Sequence, residues 1–419
     1  MRPDRLVAPA LGALWTQRAR LGFAWDVLRH AVCSDCSLGS SGMRDSMGRS
    51  HLCGRRLGHL TRETAVAFAP GLLAHTADLH GISNRGLRGL GRIPRPMLRR
   101  AGQPGFSPLS WEDATNLAAA RLRDARGDAK WSLLVDPRGL DLESLFQLGR
   151  FAVSMERRHR EGEVKDAPPL VALSVPASER RLRARARDTL GHASSSASSI
   201  DLKPGDSVLL VTDGDQPLLD EFLEPLRRRG VLTQVRTADE PWPDDARHTL
   251  VFGRAGTIGA LAAGLPLHKT ELEGVANLGA AYLVGEKAGA GVPGLEHVPV
   301  RVHQASVLDA SMLIPAPEAV LLLPASSSAA TEDGGTYLSD DLVVRFSPSV
   351  LGAPRADSKP HWEIPVLVAA MADPDLGHTL AEHDSGTLRA ALAASRPGLG
   401  GVLGLSATGD SFLLPSPVA

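Results

Sequence analysis

The sequence predicts an α/β protein, with a small N-terminal cysteine-loop domain ahead of a doubly wound, parallel-sheet core. Three observations carry that prediction. From residue 131 onward, short apolar runs alternate with helical patterns, as strands and crossover helices do. Proline, glycine and aspartate punctuate the runs at their ends. The only three cysteines, Cys33, Cys36 and Cys53, share one glycine- and serine-rich window.

Residues 1–30 read as a helical extension of one or two amphipathic helices. The cysteine loop occupies 31–58, and a weakly helical stretch follows to about residue 80. Residues 86–110, which open G-L-R-G-L-G-R-I-P-R-P-M-L-R-R and include Pro104 and Gly105, are basic and turn-rich. Ser110 and Asp113 resemble a capping box that opens a helix running to about Arg126. Trp131–Val135 reads as a strand, ended by D-P-R-G over 136–139, with a helix over Asp141–Phe151. Leu170–Val175 is a further strand, Ser178–Leu190 a basic helix and His192–Ser199 a serine-rich link. Ser207–Val211 reads as a buried strand, followed by T-D-G-D over 212–215 and a helix over Pro217–Arg229. Val231–Val235, His248–Phe252, Val298–Val302 and Ala319–Leu323 complete the predicted strands. Residues 361–394 read as helical and the tail as loop-rich. The expected domains are 1–30, 31–110, a core over 111–350 and a C-terminal segment over 351–419.

Composition narrows the function classes. With 419 residues, 43 % of them hydrophobic, the chain can build substantial cores. A formal net charge of −1 gives no global electrostatic case for nucleic acid. Three cysteines, two of them three residues apart, do not make a disulfide framework. Arginines interrupt the apolar residues near the start, which argues against a signal peptide, and no apolar run is long enough to span a membrane. The expectation is a soluble, cytoplasmic protein.

Thiolates are the soft ligands that iron–sulfur clusters and structural zinc require, and C-x₂-C places two of them at chelating distance. Cys33, Cys36 and Cys53 therefore read as metal ligands. Three thiolates hold a 3Fe-4S cluster, or a 4Fe-4S cluster whose last iron takes an oxygen or nitrogen donor. Ser40, Asp35, Asp45 and His51 are the candidates for that donor. His51, two residues before Cys53, keeps Cys₂-His-Cys zinc open as an alternative, and an empty remnant is a third.

The order of motifs resembles the molybdopterin-dependent oxidoreductases, such as the formate dehydrogenase catalytic subunit. There a cluster loop precedes P-[ML]-x-R-x-G…F-x-P-[IL]-S-W-[DE]-E-A. Here Pro96, Met97, Arg99 and Arg100 are followed by F-S-P-L-S-W-E-D-A over 106–114. Residues 273–280, E-G-V-A-N-L-G-A, resemble the family's R-G-x-x-N-x-x-G-A turn. A-V-L-L-L-P-A over 319–325, E-D-G-G-T-Y over 332–337 and Arg345 resemble its D-V-V-L-P-A…E-x-x-G-T-[FY]-x-N-x-E-x-R. His361-Trp362-Glu363-Ile364 resembles its W-x-I.

The resemblance implies an iron–sulfur electron-transfer or oxidoreductase subunit, working with other redox subunits. It implies Cys33, Cys36 and Cys53 as cluster ligands, with Ser40 where a fourth thiolate stands in the family. Arg55 matches the family's cation between cluster and pterin. Asp213, Asp215 and Asn277 fall at pterin-binding turns, so a molybdenum bis-pterin is the further cofactor implied. The chain departs from the pattern in length, lacking much of the central region and the C-terminal barrel that closes over the pterin, and no cysteine is left for molybdenum. These departures bring in a cofactor-free scaffold subunit as the alternative function, beside a zinc-stapled interaction module. The family's fold carries over to such a scaffold in the large subunit of bacterial respiratory complex I.

Other motifs have plainer readings. The T-D-G-D turn also serves as an ordinary βα turn with an aspartate N-cap. G-R-A-G-T-I-G over 253–259 lacks the dinucleotide spacing. The arginines over 180–187 read as a solvated helix face, and His297 and His303 as polar strand ends.

Overall fold

A computed structural model describes residues 15, 21–33, 40–45, 54–63, 65–125, 131–161, 170–173, 204–205, 207–212, 227–228, 230, 232–236, 248–252, 257–265, 275, 278–328, 333–339, 343–350, 357–382 and 384–414. The basic helix expected over 178–190 and the body of the one over 217–229 lie outside these residues.

The cysteine region contributes three two-residue strands: β1 (Val32–Cys33), β2 (Ser40–Ser41) and β3 (Arg44–Asp45), joined antiparallel. The segment expected to be turn-rich contains β4 (Met97–Arg100) and β5 (Ser107–Pro108). The core then adds β6 (Trp131–Val135), β7 (Leu170–Leu173), β8 (Ser207–Thr212), β9 (Leu232–Arg236) and β10 (His248–Phe252). It continues with β11 (Ala280–Val284), β12 (Val300–Ala305), β13 (Ala319–Ser326), β14 (Gly335–Leu338), β15 (Val343–Ser347), β16 (Lys359–Pro360) and β17 (Ser411–Leu413).

The main sheet runs β5-β4-β13-β12-β11-β6-β7, with β16 added beside the end of β13. Its five strands from β13 to β7 are mutually parallel, and only β4 runs against them; β5, antiparallel to β4, returns to their direction. Strands β10, β8 and β9 form a separate parallel sheet. Strands β14, β15 and β17 form an antiparallel one.

Burial on both faces explains why the central strands are apolar runs rather than alternating ones. One face carries Trp131, Leu133, Tyr282, Val302 and Leu321. Helices Trp111–Asp124, Leu142–Glu161, Glu363–Ala372 and Ser385–Ser395 contribute to that cluster. The opposite face meets two smaller clusters. Phe68, Leu73, Leu87 and Ile93 cover Val320 and Leu322, while Val292, Leu295 and Val298 cover Leu134 and Leu283.

Local signals account for the helix ends. Ser110 Oγ accepts the Asp113 N–H at 3.0 Å, as its capping role predicts. Asp384 and Thr387 make a reciprocal capping box at the start of Ser385–Ser395.

The sequence reading differs from the structure at informative places. β11, a central strand, begins at the last residue of the 273–280 turn and covers residues for which the sequence suggested no element. β12 lies two to three residues further along than expected, because it contains Arg301, His303 and Gln304. His303 is not a strand-end cap; it faces inward from the middle of β12, 2 % exposed.

Candidate functional site at the carboxyl edge of the sheet

The chain leaves β6 towards β7 on one side and later returns to place β11 on the other. The order therefore reverses between β6 and β11, and in open α/β sheets ligands bind beyond the carboxyl ends of strands at such a switch point. Four separate segments meet there.

The first segment is the turn after β6. The Asp136 N–H donates to the Val284 carbonyl at 2.8 Å, continuing the ladder one residue past the strand. Arg138 grips the Asp136 carboxylate with two bonds, 3.0 Å and 2.9 Å. The second is the end of β11, where the Gly285 N–H donates to the Gln304 carbonyl at 3.0 Å. Gly285 has φ +103, and a β-carbon there would lie 2.6 Å from the Asp136 carbonyl oxygen. Only glycine closes the crevice floor this tightly.

The third segment is helix Gly54–Glu63, which begins directly after Cys53. It delivers His59 to the switch point. His59 lies so close that a β-carbon at Gly139 would be 3.1 Å from its Nε2. Its Nδ1 is 3.7 Å from Glu286, the residue after Gly285. Glu286 is 3.8 Å from Arg88, which binds the buried Asp309 at 2.8 Å. A series of close polar contacts thus runs from the helix behind the cysteines to the residues after β11 and β12.

The fourth segment brings His361, which follows β16. The Gln304 side-chain amide donates to the His361 carbonyl at 2.8 Å, so its nitrogen faces that residue. The same nitrogen is 3.0 Å from His361 Nδ1, which must therefore accept. Tyr282 completes the relay by donating its hydroxyl to Gln304 Oε1 at 2.5 Å. These bonds place the imidazole hydrogen on Nε2. Burial, followed by the nearby His59, pushes the His361 pKa down to about 3, so the ring is neutral at physiological pH. Burial raises the Tyr282 hydroxyl, which keeps it a donor.

A second buried polar group lies at the start of helix Leu142–Glu161. Asp141 accepts the Ser144 N–H at 2.6 Å and caps the helix. Glu143 accepts from Arg389 at 2.7 Å and from the Thr336 N–H at 3.0 Å. Burial raises both carboxyl pKa values, and Asp141 raises that of Glu143 further. This group ties the helix to β14 and to Ser385–Ser395, which makes it an internal joint.

On the other sheet face, Arg301 donates to the Ser311 and Ile314 carbonyls and Arg99 to the Leu313 carbonyl. The two guanidinium groups cap the short helix Ala310–Leu313. Burial, and then Arg301, hold the His303 pKa well below its usual value.

Of the residues singled out in the sequence, Cys33 ends β1 and is described by its backbone alone. Cys36, Cys53, Asp213, Asp215 and Asn277 lie outside the described residues. Arg55 is in the first turn of Gly54–Glu63, with its side chain undescribed. Its neighbour Arg56 is buried and donates to the carbonyls of Ala31, Leu28 at 2.6 Å and Gly42 at 2.7 Å. Arg56 thereby knits both sides of the cysteine segment to the helix behind it. Among the described residues, no group of three or more His, Cys, Asp or Glu could hold a metal ion.

Sequence reasoning missed His59, Glu286 and Gln304 as site residues, and took His361 only as part of a helix-opening motif. The signal that was available was positional, since residues just beyond parallel strands face the crevice. No protein-family model matches the chain. No curated protein matches it either.

Proposed function

We propose that the chain is a molybdopterin-oxidoreductase-like electron-transfer subunit, similar to formate dehydrogenase, whose cysteine loop holds an iron–sulfur cluster. One observation carries this reading. The helix that begins directly after Cys53 lays His59 into the switch point of the parallel sheet, against Gly139 and beside Glu286. A cysteine segment with no part in the site has no reason to be anchored at the ligand-binding edge.

The donor set fits a cluster: three thiolates, with Ser40 or His51 for the remaining iron. A cluster, when bound, supplies one-electron transfer, while the chain's own residues hold the segment that bears it. Arg56 organises the backbone on both sides of that segment. His59, Glu286, Arg88 and Asp309 fix its helix to the sheet. Gln304 and His361 keep a neutral N–H at the edge.

The second reading is a cofactor-free scaffold subunit, and the same edge supports it. Protein side chains, His59 and the buried Gln304–His361 pair, are packed at that edge, and Arg56 bonds the backbone on both sides of the cysteine segment.

Metal and acid-labile sulfide analysis of anaerobically purified, reconstituted protein tests the reading. Iron with sulfide and absorption near 400 nm is expected; extractable pterin would extend the proposal to catalysis. Colourless protein without iron leaves the scaffold, and zinc alone selects the interaction module.

A further inference from the structure

The short helix Leu21–His30 ahead of the cysteine segment has two distinct sides. Ala24, Val27 and Leu28 are fully buried and pack with Leu57 of the next helix. Arg56, from that same helix, binds the Leu28 carbonyl and fixes the orientation. Leu21, Trp25 and Arg29 recur every fourth residue on the outer side. Leu21 is 56 % exposed, Trp25 48 % and the preceding Trp15 71 %. Two of the six tryptophans in an aromatic-poor chain thus face outward within eleven residues.

Charge adds a second, independent observation. The first 110 residues hold sixteen arginines and six acidic residues, whereas the remainder holds an excess of acid that brings the chain to −1. A molecule so polarised orients its N-terminal part towards a negative surface. Arg18, Arg20 and Arg29 flank the exposed tryptophans in sequence.

We propose that the outer face of Leu21–His30, together with Trp15, docks on an anionic lipid bilayer. Indoles favour the membrane–water interface, and arginine-rich amphipathic helices bind there with their apolar side among the headgroups. The size of the face favours lipid over a protein partner. Its three apolar side chains expose roughly 400 Å², whereas a stable protein interface uses about 800 Å² per partner. Insertion at an interface needs only the side chains themselves and nearby cations. Docking here is independent of what the cysteines bind.

The test is co-sedimentation of the full chain with vesicles of phosphatidylcholine alone and with about 30 % phosphatidylglycerol. Binding to the anionic vesicles is expected to be about tenfold stronger and to be lost near 0.5 M salt. Trp25→Glu and Leu21→Glu should each weaken it about tenfold. Trp15→Ser, ahead of the helix in sequence and 71 % exposed, should weaken it in the same direction; circular dichroism checks that each variant is folded. No binding to anionic vesicles overturns the proposal. So does binding that survives all three substitutions, since a basic surface alone would then account for it. Failure with vesicles alongside salt-sensitive binding to an acidic protein would reassign the face to a protein partner.

Discussion

Lowering the pH should destabilise the fold through His361, by an amount the geometry allows to be worked out. In the folded protein its pKa is about 3, because burial and the neighbouring His59 disfavour the charged ring. In the unfolded chain it returns to about 6.5. The unfolded state therefore binds the proton first, so stability from this site is present above about pH 6.5 and is lost as the pH falls towards 3. The slope is about 1.4 kcal/mol per pH unit, and between pH 7.5 and 4.5 the loss is about 3 kcal/mol.

His361→Asn isolates the effect. Asparagine Oδ1 replaces Nδ1 as the acceptor for Gln304, but it does not titrate. Urea unfolding of both proteins at the two pH values measures the difference, and the carboxylates common to both cancel. The wild type should lose about 3 kcal/mol more than the variant. An equal loss in both proteins would refute the reasoning, as would a ring that nitrogen NMR shows protonated at pH 5.5. His303, depressed in the same direction, should leave a residual acid sensitivity in the variant.

Three further outcomes follow from the same structure. Arg56→Met strands three buried carbonyls and should cost about 4 kcal/mol in urea unfolding, with Arg56→Lys recovering only part because an ammonium lacks the planar fork. Gly285→Ala forces a β-carbon to 2.6 Å from the Asp136 carbonyl oxygen at a positive φ, so thermal melting should show a loss of about 3 kcal/mol. Asp141 and Glu143 have raised pKa values, so the folded state holds their protons longer and stability falls as the pH rises through them. Asp141→Asn keeps the helix cap and removes one of the two charges, so it should flatten the decline measured by denaturation as the pH is raised above the ordinary carboxylate range.

The parallel strands were legible because burial on both faces leaves apolar runs with turn residues at each end. Trp131–Val135 and His248–Phe252 match the expected bounds, and Ala319–Ser326 contains the expected run. Ala280–Val284 was not legible: small residues and an upstream glycine- and asparagine-containing stretch mimic a turn. In Val300–Ala305 the buried Arg301, His303 and Gln304 disguise the strand. Their cost is met by the Ser311 and Ile314 carbonyls and by the His361 relay, all distant in sequence or in a neighbouring element. The site itself was illegible for the same reason. His59, Glu286, Gln304 and His361 come from four segments that only the strand order brings together.

That assembly bears on how the cysteine segment and the sheet depend on each other. Gly285 and Gly139 leave no room for side chains, and the space beside Gly139 is taken by His59 from the helix behind Cys53. The crevice is therefore shaped to receive that helix, and Arg56 on the same helix sets the backbone on either side of the cysteine loop. Disturbing one end of this helix should be felt at the other. His59→Ala removes the contact at Gly139 and the neighbour that helps depress His361, so it should raise the His361 pKa above about 3. Nitrogen NMR of His361 reads that change directly. If the cysteine segment folded independently of the sheet, the His361 signal would titrate identically in both proteins.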